Sequence, residues 1–292
     1  MLGTAVRQAL GARGIDSMQL VRREVHGPNE LRWNPAAEQP IAETERLEGL
    51  EAAIHLSGAN VAAHRWTSAY KREIWASRMD STRALATALA GLRQPPRVLL
   101  AASATGVYGD RRDEILDERA GPGKGFLAEL CREWEAAARP AAQAGIRVVN
   151  LRFGVVLGPG DGALGKMLPL FRLGLGGRLG SGRQWMSWVG LPDAVAAIPF
   201  ALDAAALAGP VNVTSPEPVT NAEFTRALAK AVHRPAILPA PAFALRLALG
   251  EMADEALLAS ARAVPAKLIA AGFRFANPSI DAALAAALSA AR

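Results

Sequence analysis

The sequence predicts an α/β fold built on a doubly wound parallel sheet, with a smaller helix-rich part towards the C-terminus. Two observations carry this prediction. Short apolar runs alternate with longer helical patterns up to about residue 157, which is typical of βα units. After Gly158 the residue pattern changes: Gly and Pro interrupt residues 159–182, and only short helical patterns follow. A length of 292 residues suits one large domain or two closely joined parts.

The elements are expected in the following order. The strand candidates are short apolar runs, at residues 18–21, 52–57, 97–103, 147–153 and 210–214. The longest helical pattern runs from about residue 67 to 92. A second helix is indicated by apolar residues at i, i+3, i+4 and i+7, which form one helix face: Leu127, Leu130, Cys131 and Trp134. Short helices are expected at 221–232, 241–249, 265–271 and 279–290.

Composition narrows the classes of protein that fit. The chain has 33 Lys and Arg against 27 Asp and Glu, a net charge of +6. Its basic residues are mostly isolated, so we expect a small anionic molecule as the partner and no nucleic acid. No apolar run approaches the roughly 18 residues of a membrane span, and no membrane partner is expected.

The spacing of the histidines and the absence of a hydrolase motif exclude a metal site and serine-hydrolase chemistry, and cysteine usage bears on the location. Cys131 is the only cysteine, which favours a reducing compartment, and with no signal peptide pattern in view we expect a cytoplasmic location. The histidines are scattered without ligand spacing, so no metal site is expected. His55 lies inside an apolar strand and fits a core histidine. No G-x-S-x-G elbow of a serine hydrolase occurs.

The loop after the strand at 97–103 is the first candidate site. Residues 101–110 read AASATGVYGD, so an apolar strand ends in small and hydroxyl-bearing residues. Doubly wound sheets bind ligands at the carboxyl ends of their strands. We expect Ser103 to polarise a hydroxyl or carbonyl group, with Tyr108 or Arg78 supplying a proton or a charge. The alternative interpretation is a turn that is merely rich in small residues.

A pair of arginines follows the strand at 18–21. In dinucleotide-binding sheets an acidic residue at this place accepts the ribose 2′-hydroxyl, whereas Arg accommodates a 2′-phosphate. Here Arg22 and Arg23 come directly after the strand, and Glu24 only after them. The sequence therefore favours NADP(H) over NAD as the cofactor, bound through Arg22 or Arg23. A solvated strand end is the alternative.

A glycine-rich segment is the third candidate site. Residues 180–188 read GSGRQWMSW, in which flexible glycines carry Arg183, Gln184 and Trp185, a combination suited to gripping a planar or phosphorylated ligand. We expect Arg183, Gln184 and Trp185 to bind substrate together with Arg78, and Arg78, Ser103, Arg183 and Gln184 to line one cleft. A hairpin whose tryptophans fill a seam between the two parts is the alternative.

Taken together, these residues resemble the extended short-chain dehydrogenase/reductase superfamily and, within it, the atypical epimerase-like family of NAD-dependent epimerase/dehydratase proteins. The resemblance covers nearly the whole chain and is most specific at residues 126–135, FLAELCREWE, and 180–188. It implies a Rossmann-like fold, with a dinucleotide-binding part over 1–157 joined by 188–214 and a substrate-binding part over 158–187 and 215–292. The cofactor contacts that it implies, besides the arginine pair, are Gly3, Leu56, Ser57, Gly58, Ser103 and Arg152.

The start of the chain departs from the family pattern. Family members open with a strand and a G-x-x-G-x-x-G loop, and only Gly3, at the place of the third glycine, is present here. The missing strand would be the central one of the sheet. We therefore expect a chain that begins inside the phosphate-binding loop and that binds its cofactor weakly, because the backbone that wraps the pyrophosphate is absent.

The acid–base residues of the superfamily are also absent. Its Tyr-x-x-x-Lys pair falls on Leu127 and Cys131, and its Asn on the preceding helix falls on Arg78. A leucine exchanges no proton, and a lone thiol has no base to activate it. Two functions remain open. One is an NADP(H)-binding epimerase or oxidoreductase acting on a nucleotide-sugar-like or other polar small molecule. The other is a non-catalytic NADP(H)-binding redox or metabolite sensor. A homodimer is compatible with both.

Overall fold

The computed structural model describes residues 1–160 and 162–290, and it confirms the predicted α/β fold class. In chain order the α-helices are α1 (Leu2–Ala12), α2 (Ser68–Ala90), α3 (Phe126–Ala136), α4 (Arg139–Gln143), α5 (Ala163–Arg172), α6 (Leu191–Asp203), α7 (Asn221–Ala231), α8 (Ala242–Leu249), α9 (Ala266–Ala270) and α10 (Ile280–Ser289). The strands are β1 (Gln19–Val21), β2 (Glu30–Arg32), β3 (Ala52–His55), β4 (Val98–Ala104), β5 (Ile115–Leu116), β6 (Arg147–Phe153), β7 (Val155–Leu157), β8 (Trp185–Met186), β9 (Trp188–Gly190), β10 (Gly209–Val213), β11 (Val219–Thr220) and β12 (Arg262–Ala263).

The main sheet consists of four parallel strands in the order β10-β6-β4-β3. In β4 and β6 the register runs from Val98 beside Arg147 to Ala104 beside Phe153. All four strands run in the same direction, so their carboxyl ends meet at one edge of the sheet. β4 is buried along almost its whole length, as expected for a central parallel strand covered on both faces.

The sheet divides where the sequence analysis expected the central strand to be missing. β1 and β2 pair in parallel with each other, separately from the main sheet. Among the described residues β3 pairs with β4 alone, so β3 forms the edge of the main sheet. Accordingly, the residues of β1 are all half-buried, and so are the first three of β3.

Helices cover both faces of the main sheet. On one face α1 and α6 pack on the strands through a continuous apolar layer, which includes Val6, Leu10, Ala197, Ile198, Val149 and Val211. On the other face α2 and α4 form a second layer, which includes Leu85, Leu89, Ala141, Leu99 and Ile146. α2 begins where the Thr67 hydroxyl accepts a hydrogen bond from the amide of Tyr70, 3.1 Å away, as an N-cap does.

The C-terminal part has a core of its own. Its buried side chains come from α5, α7, α10 and the strands β7 and β9, and they include Trp188, Phe224, Leu228 and Leu284. α7 begins with a capping box, in which Thr220 and Glu223 exchange side-chain and backbone hydrogen bonds. No helix in the described part of the chain combines the length and apolar character needed to cross a bilayer.

Candidate functional site

The carboxyl edge of the main sheet carries several of the expected site residues. β3 ends at His55, and Ser57 and Gly58 follow it as exposed residues. β4 ends at Ala104 and passes into a short 3₁₀ helix, Thr105–Tyr108. The strand ends therefore surround one place, which is where doubly wound sheets bind their ligands.

Ser103 and Arg152 meet at one carboxylate of α3. The Ser103 Oγ donates to Glu135 Oε1 over 2.7 Å, and Arg152 binds both oxygens of the same carboxylate, at 2.7 and 2.9 Å. The exposed fraction of the side chain is 8% for Arg152 and 14% for Glu135, so this is a buried bidentate ion pair. Burial lowers the pKa of Arg152, but the bonds to Glu135 outweigh it and the pKa is raised overall.

Tyr108 extends this network away from the sheet edge. Its ring is fully buried, its hydroxyl donates to Asn212 Oδ1 over 2.7 Å, and Arg152 Nη1 donates to it over 3.1 Å. Burial raises the pKa of Tyr108. The expected proton-donating tyrosine thus faces buried protein groups, and the expected polarising serine faces Glu135. Both hydroxyls are committed to holding the loop that follows β4.

Arg78 closes the site from the side of α2. Its guanidinium donates to the carbonyl of Ile74, 3.1 Å away, and to that of Ala59, 3.0 Å away, and lies 4.9 Å from the ring centroid of Trp134. A Cβ on Gly58 would lie 3.1 Å from its Cζ, so a larger residue at 58 would crowd it. Burial lowers the pKa of Arg78. The side chain fastens the loop after β3 to α2 and α3.

The place of the superfamily's acid–base pair lies directly beside the loop after β4. A Cβ on Gly106 would meet Leu127 Cβ at 3.4 Å and Cys131 Sγ at 3.8 Å. Burial, reinforced by the charge of Glu135, raises the pKa of Cys131 to about 12. Leu127 and Cys131 therefore face the loop after β4, and neither presents a group that titrates near neutral pH.

The Cys131 thiol is expected to resist alkylation in the folded protein. The thiolate is the reactive form of cysteine. Because its pKa is raised, the Cys131 thiol stays protonated at pH values far above about 8.5, the ordinary pKa of a cysteine. At about pH 8.5, iodoacetamide should modify the native chain at least a hundredfold more slowly than the urea-unfolded chain. Mass spectrometry of timed samples measures the two rates, and equal rates would show that Cys131 is accessible and ionised.

A carboxylate from the C-terminal part caps α3. Both oxygens of Glu255, in the π-helical turn Ala253–Leu258, accept backbone hydrogen bonds of 3.0 Å from Phe126 and Leu127. Negative charge is favoured at this end of a helix. Gly125 has φ +105°, and a Cβ there would overlap the Glu255 carboxylate. The glycine thus permits the close approach that fastens the C-terminal part over α3.

The glycine-rich segment is fastened to the same π-helical turn. Gln184 is 7% exposed, and its amide donates to the carbonyls of Leu179 and Leu257, at 3.0 and 3.1 Å. The indole of Trp185 donates to Asp113 over 2.9 Å and lies 4.1 Å from the Arg262 guanidinium carbon. Gln184 thus joins two loops, and Arg183 alone of the expected binding residues in this segment is exposed. Arg78 and Ser103 contact side chains of α3 directly. Gln184 does not: it bonds to the π-helical turn, and Glu255 of that turn contacts α3.

The two arginines after β1 differ in their surroundings. Arg23 forms a bidentate pair with Glu30, and one of its nitrogens also donates to the carbonyl of Glu24. Arg22 is exposed and, among the described residues, has no carboxylate within 4.0 Å. It lies close enough to His55 to lower the pKa of that histidine further, after burial. Of the pair, Arg22 is therefore the one available to a ligand beside the end of β3.

Three contributors to this region were missed in the sequence analysis: Glu135, Asn212 and Glu255. Glu135 could have been found, because it continues the face of Leu127 and Cys131 at intervals of four residues along α3. Asn212 and Glu255 lie far along the sequence from the residues that they contact, and no local pattern marks them. Among the described residues no group of three His, Cys, Asp or Glu side chains forms a candidate metal site.

Comparison with known proteins identifies the family. The model of the NAD dependent epimerase/dehydratase family matches residues 1–214, and that of a domain of unknown function, DUF1731, matches residues 240–287. The chain belongs to the NAD dependent epimerase/dehydratase family, which confirms the resemblance seen in the sequence.

Two relatives match over almost their full lengths. An epimerase family protein of Mycobacterium bovis is 46% identical over 284 residues, which cover 97% of this chain and 93% of the relative. The epimerase family protein SDR39U1 of Homo sapiens is 35% identical over 286 residues, covering 97% and 94%. A crystal structure of that human protein (isoform 2) with NADPH superposes with a TM-score of 0.90 at 33% identity, covering 99% of this chain and 96% of the other.

Proposed function

We propose that this chain binds NADP(H) at the carboxyl edge of its sheet and acts there on a polar small molecule, such as a nucleotide-sugar-like compound, as an epimerase or oxidoreductase. The observation that carries the choice of cofactor is the exposed Arg22 directly after β1, with no carboxylate partner among the described residues. A guanidinium at this strand end suits a 2′-phosphate. The NADPH in the crystals of the human relative supports the same choice.

The residues around this edge fit a dinucleotide. α1 has no acidic residue in its first turn and no side-chain cap, so its first amides suit an anionic group. A Cβ on Gly3 would meet nothing within 4 Å, which leaves room for phosphate beside the helix end. Leu56, Ser57 and Gly58 would face the cofactor from the end of β3. The cofactor would supply the hydride chemistry.

The buried network acts in support of this site. Arg152 is 7% exposed, and its guanidinium is engaged by Glu135 and Tyr108. We assign Ser103, Tyr108 and Arg152 to positioning of the loop after β4, in place of the direct catalytic and cofactor contacts expected from the sequence. Arg78 holds the loop after β3 in the same way. Arg183, which is exposed, is the residue of the glycine-rich segment that can offer charge to a substrate.

Replacing Arg22 tests the cofactor assignment. R22A should weaken NADPH binding about tenfold or more, because a charge-assisted bond to phosphate contributes roughly 1.5–3 kcal/mol. NADH has no 2′-phosphate, so its affinity should not change. R23A is the matched control, since Arg23 is already paired with Glu30 and should matter less. Titration calorimetry measures the NADPH and NADH affinities of the unaltered chain and of both variants. The cofactor choice is wrong if NADPH and NADH bind the unaltered chain equally well, or if R22A leaves NADPH binding unchanged.

A sensor without turnover is the second candidate. It is favoured by α3, which offers Leu127 and a protonated thiol where the superfamily has its acid–base pair. Polar metabolites added to the NADPH-loaded chain distinguish the two functions. Net oxidation of NADPH supports an oxidoreductase, and epimerisation of a metabolite by the NADP⁺-loaded chain, with no net change in the cofactor, supports an epimerase. Tight NADPH binding with neither reaction supports the sensor.

A further inference from the structure

Large apolar side chains are concentrated on the surface of the C-terminal part. The described residues include twelve exposed large apolar side chains, and seven of these fall in two short stretches of the chain. The seven, between 51% and 77% exposed, are Leu170, Leu173, Leu175, Ile237, Leu238, Phe243 and Leu247. Isolated apolar residues are ordinary on a protein surface, but a cluster of them indicates a binding surface.

Backbone contacts bring the two stretches together. Leu175 forms an antiparallel bridge with Ala236, and Leu179 a parallel bridge with Ala240. Between these bridges the amide of Leu238 donates to the carbonyl of Gly176, 3.3 Å away. α8 begins immediately afterwards at Ala242. The seven side chains therefore project from adjacent backbone.

α8 turns an apolar side towards solvent. The helix has no fully buried residue, although surface helices ordinarily bury their apolar stripe. Phe243 and Leu247 stand one turn apart on the same side and are 72% and 77% exposed, while Leu245 and Leu249 are half-buried. The folded chain therefore leaves Phe243 and Leu247 uncovered on this side of α8.

The charge around these side chains is mostly positive, and the exception is Asp254, which pairs with Arg246 of α8. Residues 162–192 contain four Lys or Arg and no Asp or Glu, and residues 224–250 likewise contain four and none. Arg234 donates to the carbonyl of Arg172 over 3.2 Å, and the carbonyl of Arg178 accepts from Ala240 over 2.9 Å, so all three arginines border the cluster. Within the described ranges none of them has a carboxylate within 4.0 Å. These three arginines and the seven apolar side chains are called the apolar–basic face below.

We propose that the apolar–basic face binds the surface of a membrane that contains anionic lipids. Exposed apolar side chains enter the boundary between headgroups and acyl chains, and neighbouring arginines bind lipid phosphates. A second copy of the chain is a poor match, because two such faces would bring arginines against arginines. The binding is peripheral, because no described helix spans a bilayer. The sequence analysis expected no membrane partner because it considered spanning segments, and the face forms only where two separate stretches meet.

Vesicle sedimentation of the full chain tests the proposal. The chain should sediment with phosphatidylcholine vesicles that contain about one-third phosphatidylglycerol, and not with phosphatidylcholine alone, and added salt should release it. The double variant F243S/L247S should lower the partition coefficient about tenfold or more. R172Q/R178Q should lower it about fivefold for each arginine removed. The control I115S/I269S removes two isoleucines that are 60% and 52% exposed elsewhere, and it should bind like the unaltered chain.

The same samples also show the outcomes that overturn the proposal. Absence of sedimentation with anionic vesicles excludes it, and so does binding that F243S/L247S leaves undiminished. A dimer in analytical ultracentrifugation that F243S/L247S disperses, without lipid binding, assigns the face to a second copy. Circular dichroism confirms that each variant is folded. NADPH binding should be unchanged in F243S/L247S, so this test is independent of the proposed cofactor site.

Discussion

Replacement of Glu135 by alanine is expected to lower the free energy of unfolding by about 3–5 kcal/mol, because it leaves the buried Arg152 guanidinium without its counter-ion. Arg152 would keep its bond to Tyr108 but lose both of its hydrogen bonds to Glu135, and Ser103 would lose its acceptor. Urea denaturation followed by circular dichroism measures the change. The loop after β4 depends on the same contacts, so weaker NADPH binding should accompany the loss of stability.

Two further variants show whether the unpaired charge of Arg152 causes the loss of stability in E135A. E135L/R152M removes both charges and keeps apolar volume, and it should be less destabilised than E135A, since no unpaired ion remains buried. D254A breaks the Arg246–Asp254 pair, whose side chains are 56% and 50% exposed, and should cost no more than about 1 kcal/mol. If E135A and D254A destabilise the chain equally, the Glu135–Arg152 pair has no special role in stability.

Acid is expected to destabilise the folded chain through His55. The ring is 3% exposed, and its Nε2 lies 3.0 Å from the Ser81 hydroxyl, whose proton goes to the carbonyl of Ser77. Burial, and then the charge of Arg22, lowers the pKa of His55 from 6.5 to about 4. Between these two pH values the unfolded chain binds a proton that the folded chain does not. The free energy of unfolding therefore has its full value above pH 6.5. It falls as the pH decreases towards 4, by about 3 kcal/mol in total.

The variant H55Q isolates this effect. A glutamine amide can donate towards Ser81 but does not titrate, so the decline in unfolding free energy between pH 6.5 and 4.5 should be much shallower than in the unaltered chain. H64Q, at an exposed histidine, is the control and should preserve the full decline. Urea titrations at a series of pH values give the slopes. Parallel pH profiles for H55Q and the unaltered chain would falsify the assignment to His55.

Much of the fold could be predicted from apolar periodicity. The helix expected at 67–92 is α2 (Ser68–Ala90), and the strand expected at 147–153 is β6 (Arg147–Phe153). These elements are long or fully buried, so their patterns are regular. β2, β5 and β12 were not predicted, because strands of two or three residues are too short to show a period and form only when a distant segment pairs with them.

The sequence indicates which candidate residues lie near the carboxyl edge of the sheet, but not which partners they have in the folded chain. Arg22, Ser103 and Arg78 do lie around the carboxyl edge of the sheet. The difference between Arg22 and Arg23 depends on Glu30, which belongs to another strand. Tyr108 is buried, and its hydroxyl donates to Asn212, which belongs to β10. Such assignments depend on partners that only the folded chain brings together, and the sequence pattern carries no trace of them.

The contacts of the C-terminal segment bear on how this family can change in evolution. Glu255 caps α3, β12 extends β5, and Ser260 bonds both the amide of Trp185 and the carbonyl of Arg112. The stretch matched by the domain of unknown function therefore supplies a cap to α3 and a partner strand to β5, and its loss would leave both without these contacts. A relative without it would have to supply a new cap for α3 and a new partner for β5, so the two regions are expected to diverge together.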